Sequence, residues 1–340
     1  MTFQSSGVVE LFEQDYVAAL RKKKSVKFSE DQPRDEGGRQ KQFAKAVSEA
    51  ELAPLVRLAE RLEPALRRRF MDALRHIQNS IELAQLAEAI AAGNISRAET
   101  LLKFGEWPEK FGGMAVDLRA GFIAGTQIGM RSLSEVGITM AFNLVDSHTV
   151  EYARRRMPPL VQSLKDGARD MVRQTMTEAA QGVWTPFEAA QGIKDWLGLT
   201  AQQASASAKF ERELQERGIP EDKIAVRLAK YEDAQLRQRA ETIARTEIMS
   251  ASNAGQRETW NESVRQGLLP RTAKKVWLTA NDERLCPVCE SLGNAEPVGL
   301  NEQFTFDDGT KASTVFNEPL YEPPQHPNCR CTMVLELEDN

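Results

Sequence analysis

Across residues 46–267 apolar side chains return every three or four positions, the period of a helix that buries one face. Leu52, Leu55, Leu58 and Leu62 begin the series, and Leu66, Phe70, Leu74 and Ile77 continue it. Ile81, Leu83, Leu86 and Ile90 carry it on to Gly93-Asn94, where the pattern predicts the first break. Ser96 and Glu99 have the spacing of a capping box, in which a hydroxyl accepts from an orphan amide three residues on while the carboxylate reaches back, so a new helix is expected there. Thr185-Pro186-Phe187-Glu188 repeats that signal with proline at the first helical position, and Gly198-Leu199-Thr200 reads as the close of that helix and the start of another. Residues 221–260 hold no proline and one glycine, Gly255, with Ile224, Leu228, Tyr231 and Ile243 in approximate phase. One long helix, or two in series, is expected, and Ala240, Ala244, Ala251 and Gly255 place small side chains near one face where a second backbone can approach.

The texture changes after Gly267. Short β-prone runs at 275–279, 303–306 and 332–337 are separated by turn signals such as Asp308-Gly309 and Glu322-Pro323-Pro324, which predicts a small, loop-rich region with two or three strands. At the other end, Val8, Phe12, Tyr16 and Leu20 recur every four residues and form one apolar helix face. The charged, glycine- and proline-containing segment 21–41 that follows reads as a solvated linker. Phe12 and Tyr16 are therefore candidates either for packing on the chain's own body or for docking on another subunit. The fold class expected is α+β: a flexible arm over 1–45, a mostly α-helical body over 46–268, and a small loop-rich α+β domain over 269–340.

Composition narrows the function classes. Forty-four basic against 49 acidic residues in 340 give a net charge of −5, which offers no electrostatic case for a dedicated nucleic-acid grip. Residues 271–340 hold six basic and twelve acidic side chains, so that region should repel nucleic acid, while basic runs at 21–24, 67–69 and 154–156 read as solvated faces. The most apolar stretch, 114–145, is interrupted by Asp117, Arg119, Arg131 and Glu135, so no membrane span is expected. The first residues lack a basic segment followed by an apolar core, and a cytoplasmic start is the default expectation.

All four cysteines lie in the last 55 residues. Cys286-Pro-Val-Cys289 has the two-residue gap that lets two thiolates reach one tetrahedral metal, and His326-Pro-Asn-Cys329-Arg-Cys331 offers three more donors. Four of Cys286, Cys289, His326, Cys329 and Cys331 would close a structural zinc site; disulfides and thiols that are merely packed are the competing readings, the former disfavoured by a reducing cytosol. A zinc-deaminase centre would need His-x-Glu, which none of His76, His148 and His326 begins. No P-loop, GxSxG, HExxH or dinucleotide fingerprint occurs, so no catalytic residue is assigned.

An ordered set of segments carries a resemblance. Ala244-Arg245-Thr246-Glu247 is followed by Asn253-Ala254-Gly255, then Val276-Trp277-Leu278-Thr279, then Asp282-Glu283-Arg284-Leu285 leading into Cys286-Pro-Val-Cys289. Gly293 and Phe304 come next, and Pro324 to Cys331 closes the series. Together these resemble the phage head morphogenesis proteins of the Mu F-like and SPP1 minor-head type, over roughly 135–335 and most specifically from 240 onward. The resemblance implies a minor capsid component without enzyme activity, acting in the host cytoplasm during assembly and then in the virion. Its implied partners are the portal protein and other capsid or scaffold components, with an influence on DNA packaging or ejection. Some relatives carry an appended toxin or ADP-ribosyltransferase domain, and the nine residues after Cys331 leave no such appendage expected here. At the matched positions a structural account is expected: Arg245 and Glu247 in a buried ion pair fixing the long helix on the terminal domain, and Trp277 anchoring the small core. Asn253 and Asp282 belong to the same matched set. The alternatives are a metal-dependent enzyme acting on nucleic acid, with Asp282, Glu283, Asp307 and Asp308 as spare bases, and a DNA-binding module using the arginine runs.

Overall fold

The computed structural model describes residues 49–140, 147–279, 285–314 and 318–337. Phe12, Tyr16 and the whole 1–45 arm lie outside the described residues, as do Asp282 and Glu283. The protein is mostly helical with one small antiparallel sheet. Its elements are α1 (Glu49–Asn79), α2 (Leu83–Ala91), α3 (Ile95–Leu101), α4 (Trp107–Phe111), α5 (Met114–Glu135), α6 (Ser147–Ala180), α7 (Pro186–Trp196), α8 (Ala201–Glu216), α9 (Glu221–Arg265), β1 (Lys274–Leu278), α10 (Pro287–Asn294), β2 (Val298–Gly299) and β3 (Thr332–Glu336). No helix among the described residues is long and apolar enough to cross a membrane.

The residues divide into two compact units. Among the described residues, a helical unit comprises 62–119 and 147–245, and a mixed unit comprises 49–61, 120–140 and the described part of 246–337. The unit boundaries fall inside α1, α5 and α9, so these three helices supply residues to both.

In the helical unit the predicted stripe is the core: Leu66, Phe70, Leu74, Ile77, Leu86 and Ile90 are all buried. Phe70 meets Phe111 with ring centroids 5.6 Å apart, and the Trp107 indole donates to the Leu102 carbonyl at 3.0 Å. The expected unbroken run to Gly93 is corrected, because α1 ends at Asn79 and α2 begins at Leu83. The Ser80 hydroxyl donates to the Ile77 carbonyl at 2.8 Å, a local bond that competes with helix continuation. The capping box at Ser96 and Glu99 is corrected too. Asn94 is the N-cap, accepting from the Arg97 amide at 2.9 Å, and Glu99 instead pairs with Arg173 at 3.1 Å. Asn is among the best N-caps, and Gly93 at φ +62° has already closed the preceding turn. The capping box at Thr185 and Glu188 forms as read, Gly198 turns the chain at φ +95°, and Thr200 caps α8 with Gln203 completing a second box.

The mixed unit is built on an unusually close helix pair. Gly121, Gly125 and Gly129 of α5 face Ala251, Ser252 and Thr259 of α9; a Cβ on Gly125 would fall inside the Ser252 carbonyl, and one on Gly255 inside that of Phe122. Only hydrogen at these positions lets the two backbones touch. Side-chain hydroxyls then cross the contact: Ser252 Oγ donates to the Gly121 carbonyl at 3.1 Å, and Thr259 Oγ1 to that of Thr126 at 3.3 Å. The small-residue face expected from Ala251 and Gly255 is thus used as read, and the glycines at four-residue spacing on α5 are its partner.

The sheet has the order β2-β1-β3, antiparallel throughout, with Trp277 opposite Met333 and Lys275 opposite both Val298 and Leu335. Two strands fall where expected. The run at 303–306 contributes only an isolated bridge, Thr305 to Lys311, around the Asp308-Gly309 turn, and the third strand is the two-residue β2. Trp260, Trp277, Phe304, Leu292, Leu300, Leu320 and Met333 form the core, with Trp277 edge-on to Phe304 at 5.1 Å. Trp277 is a buried member of this cluster, on β1.

Candidate metal centre

Cys286 is the N-cap of α10 and Pro287 its first residue, so the CPVC segment forms the first turn of a helix and turns both sulfurs to one side. The Cys289 amide donates to Cys286 Sγ at 3.4 Å. The second half of the donor set comes from the turn before β3. There the Cys329 amide donates to the His326 carbonyl at 3.1 Å, and Asn328 takes the left-handed conformation, φ +60°, that asparagine tolerates.

These two segments meet. His326 Nε2 stands 3.2 Å from Cys286 Sγ and 3.3 Å from Cys289 Sγ, and Cys289 Sγ stands 3.7 Å from Cys329 Sγ. A tetrahedral ion with metal–sulfur bonds of about 2.3 Å has donor–donor edges of about 3.5–3.8 Å. The Cys289–Cys329 distance has that value and the two His326–sulfur distances are a few tenths of an ångström shorter, so a small outward shift of His326 would fit the donors around one centre. Cys286, Cys289 and His326 form one group of three, and Cys289, Cys329 and Cys331 another, with Cys289 common to both. All five donors named from the sequence are brought together, and none of the four thiols is in a disulfide.

The electrostatics suit a cation. His326 Nδ1 lies 2.8 Å from the Pro327 carbonyl, to which it can only donate, so Nδ1 carries a proton and Nε2 faces the sulfurs. Burial opposes the charged imidazolium, yet the Pro327 carbonyl and the Cys329 and Cys286 sulfurs outweigh it and raise the His326 pKa. Burial also opposes the Cys286 thiolate, but hydrogen bonds from the Cys289 amide and His326 lower its pKa overall. Deeper in, Cys289 and Cys329 are pushed in opposite directions. The neighbouring Cys329 and Cys331 sulfurs push the Cys289 pKa up, and hydrogen bonds from Cys289 and Cys331 push that of Cys329 down. Crowded thiols therefore restrict one another's ionisation, a conflict that a dication removes by coordinating several thiolates at once.

The neighbourhood explains several other residues. The Trp277 indole N–H is buried with no well-aligned acceptor and bears on the Cys331 sulfur. Bonds from Cys289 and Trp277 oppose a rise in the Cys331 pKa, which stays raised overall because the Cys329 sulfur and burial outweigh them. Asn253 is fully buried: its Nδ2 donates to the Met249 carbonyl at 3.0 Å and toward the Cys331 carbonyl at 3.4 Å, and its Oδ1 accepts from the Thr332 hydroxyl at 2.7 Å. Arg245 forms no pair with Glu247, which corrects that expectation. Its guanidinium is held by Glu63 in two bonds of 2.9 and 3.1 Å and by Glu241 at 3.1 Å. Two residues apart on a helix, Arg245 and Glu247 do not share a face. Asp307 accepts from the Ser291 hydroxyl of α10 at 2.7 Å, and Asp308 accepts from the Thr310 hydroxyl and amide within its own turn.

Lys275 was not singled out from the sequence, being one lysine in a β-prone run. Its side chain is fully buried, with Nζ donating to the Leu300 carbonyl at 2.9 Å and the Tyr321 carbonyl at 2.8 Å, above the Phe304 ring. Burial, aided by Arg257, lowers its pKa to about 7. It ties the loops after β2 and before His326 to the central strand.

Fold and site together define a helix-rich protein whose C-terminal sheet region gathers a compact Cys/His donor set beside one face of a long helix. Residues 209–334 match the family described as Phage Mu protein F like protein, so this part of the chain is similar to that family. The matched region takes in the second half of α8, all of α9 and every donor of the cluster. No curated protein and no solved structure matches the chain.

Proposed function

We propose that the protein is a minor head component that associates with the portal vertex during procapsid assembly and influences DNA packaging or ejection, with a structural zinc ion held by four of Cys286, Cys289, His326, Cys329 and Cys331. The observation that carries this reading is the family match across residues 209–334, which spans the whole donor cluster. Five soft or borderline donors for four positions favour a closed site that staples the fold over an open one that activates water. The role is structural, without catalysis, and its partners are the portal protein and other capsid or scaffold components.

The test is co-purification with the portal protein and incorporation into procapsids, using the full chain and a chain lacking residues 1–40. The full chain is expected to incorporate, and the truncated one to incorporate less while keeping its thermal stability and metal content. This follows if Phe12 and Tyr16 dock on another component through an arm isolated by the charged linker. Failure of the full chain to enter procapsids refutes the assembly role. Full incorporation of the truncated chain refutes only the docking role of the arm.

A further inference from the structure

The Cys329-Arg330-Cys331 segment is pinned on both sides to one face of α9. On the upstream side, the Asn328 amide, adjacent to Cys329, donates to Thr246 Oγ1 at 3.1 Å. On the downstream side, Asn253 reaches the Cys331 carbonyl, and Gln256 Nε2 donates to the Met333 carbonyl at 3.0 Å. The Thr332 hydroxyl lies between Asn253 Oδ1 and Gln256 Oε1, at 2.7 and 3.2 Å. Thr246, Asn253 and Gln256 are buried, each exposing less than a tenth of its surface, and they fall on one side of the helix at seven- and three-residue spacing. Ordinary sheet pairing accounts for none of these bonds, because β3 already pairs with β1 along its other edge.

We infer that Thr246, Asn253 and Gln256 are positioning residues for the metal centre: they fix where Cys329 and Cys331 stand relative to Cys286, Cys289 and His326, so that cation affinity depends on a helix that supplies no ligand. The inference rests on the metal reading above. The physical basis is that in an extended segment residues i and i+2 point to the same side, so Cys329 and Cys331 can both present their sulfurs to Cys289, as they do, while the bonds on either side of the segment set where that side faces. Outer partners that orient ligands in this way typically change metal affinity by about 10–100-fold when removed. The coupling is reciprocal, so metal loading also strengthens the attachment of residues 328–333 to α9.

The experiment titrates Co2+ into the reduced, metal-free full chain and into Thr246→Val, Thr246→Ser and Gln256→Met. It follows the thiolate-to-cobalt absorption and measures affinity by competition with a chelator, with circular dichroism of each metal-free sample recorded alongside. The expected result is a loss of about tenfold or more for Thr246→Val and Gln256→Met at unchanged helix content, with Thr246→Ser, which keeps the acceptor, close to wild type. Wild-type affinity in both Thr246→Val and Gln256→Met overturns the inference and leaves the metal site standing. Weakened binding that tracks lost helix content and is not rescued by Thr246→Ser also overturns it. Wild-type chain that takes up no cobalt overturns the metal reading itself, and this inference with it.

Discussion

The helical unit and the mixed unit are held together in different ways. The helical unit is closed by apolar stripes: Leu66, Phe70, Leu74 and Ile77 bury one face of α1, and caps at Asn94, Thr185 and Thr200 punctuate the chain. The mixed unit joins a glycine-lined helix contact to a network of buried polar bonds, a buried lysine and a Cys/His cluster. Volume in the core and good caps decide the first. Backbone proximity and the satisfaction of each polar donor decide the second, and there a single added methyl or a lost acceptor is felt directly.

Truncating Phe70 to Ala removes a fully buried ring packed on Phe111 and should destabilise the helical unit by about 3–5 kcal/mol. Hydrogen exchange resolved by peptide should place the loss in residues 62–119 and 147–245; equal loss at β1 and β3 would mean that the division into units is not energetic.

Gly125→Ala in the mixed unit should cost about 1–3 kcal/mol, because the methyl meets the Ser252 carbonyl and neither helix can yield without breaking the Gly121 and Thr126 hydroxyl bonds. The matching change in the helical unit, Gly167→Ala, meets only the far end of Arg239 at 4.0 Å. It should be neutral or stabilise by up to about 1 kcal/mol, as a mid-helix glycine usually does when replaced. Chemical denaturation of both variants tests the contrast directly, and a similar change in both would contradict it.

The smallest expected effect concerns pH. Glu232 of α9 accepts from the Trp196 indole at 2.6 Å. Burial raises its pKa to about 7, with Asp195 and Glu211 adding to the rise and no cation among its named neighbours. A folded pKa above the unfolded one stabilises at pH below about 4.5 and loses that contribution as pH climbs through 7. Between pH 5 and 8 the helical unit should therefore lose of order 1 kcal/mol, and Glu232→Gln, which keeps the acceptor for Trp196, should lose less. Melting temperatures of both proteins across that range provide the check; parallel profiles would exclude Glu232 as the group responsible.

The sequence disclosed the two regions unequally, and for physical reasons. Helical periodicity and capping signals are local, so α7, α8 and α9, the box at Thr185 and the helix start at Thr200 could be read directly. The failures there, at Ser80 and at Ser96, arose where one local hydrogen bond outcompeted another of similar strength. In the mixed unit the donors were visible because CxxC and HxxCxC state a ligand geometry within a few residues. What aims them was not visible, since Thr246, Asn253 and Gln256 meet their partners from 76 to 82 residues away. The glycines at 121, 125 and 129 did carry a signal, a regular four-residue spacing, which charged neighbours such as Asp117 and Arg131 obscured when the stretch was weighed only as a membrane span.

Central to this account is a cation drawing Cys286, Cys289, His326, Cys329 and Cys331 into one centre, and elemental analysis of the full chain, purified reduced and without chelator, tests it most directly. About one zinc per chain is predicted, with fewer than four thiols free to react until a chelator is added. A folded, metal-free chain with all four thiols reactive would contradict it.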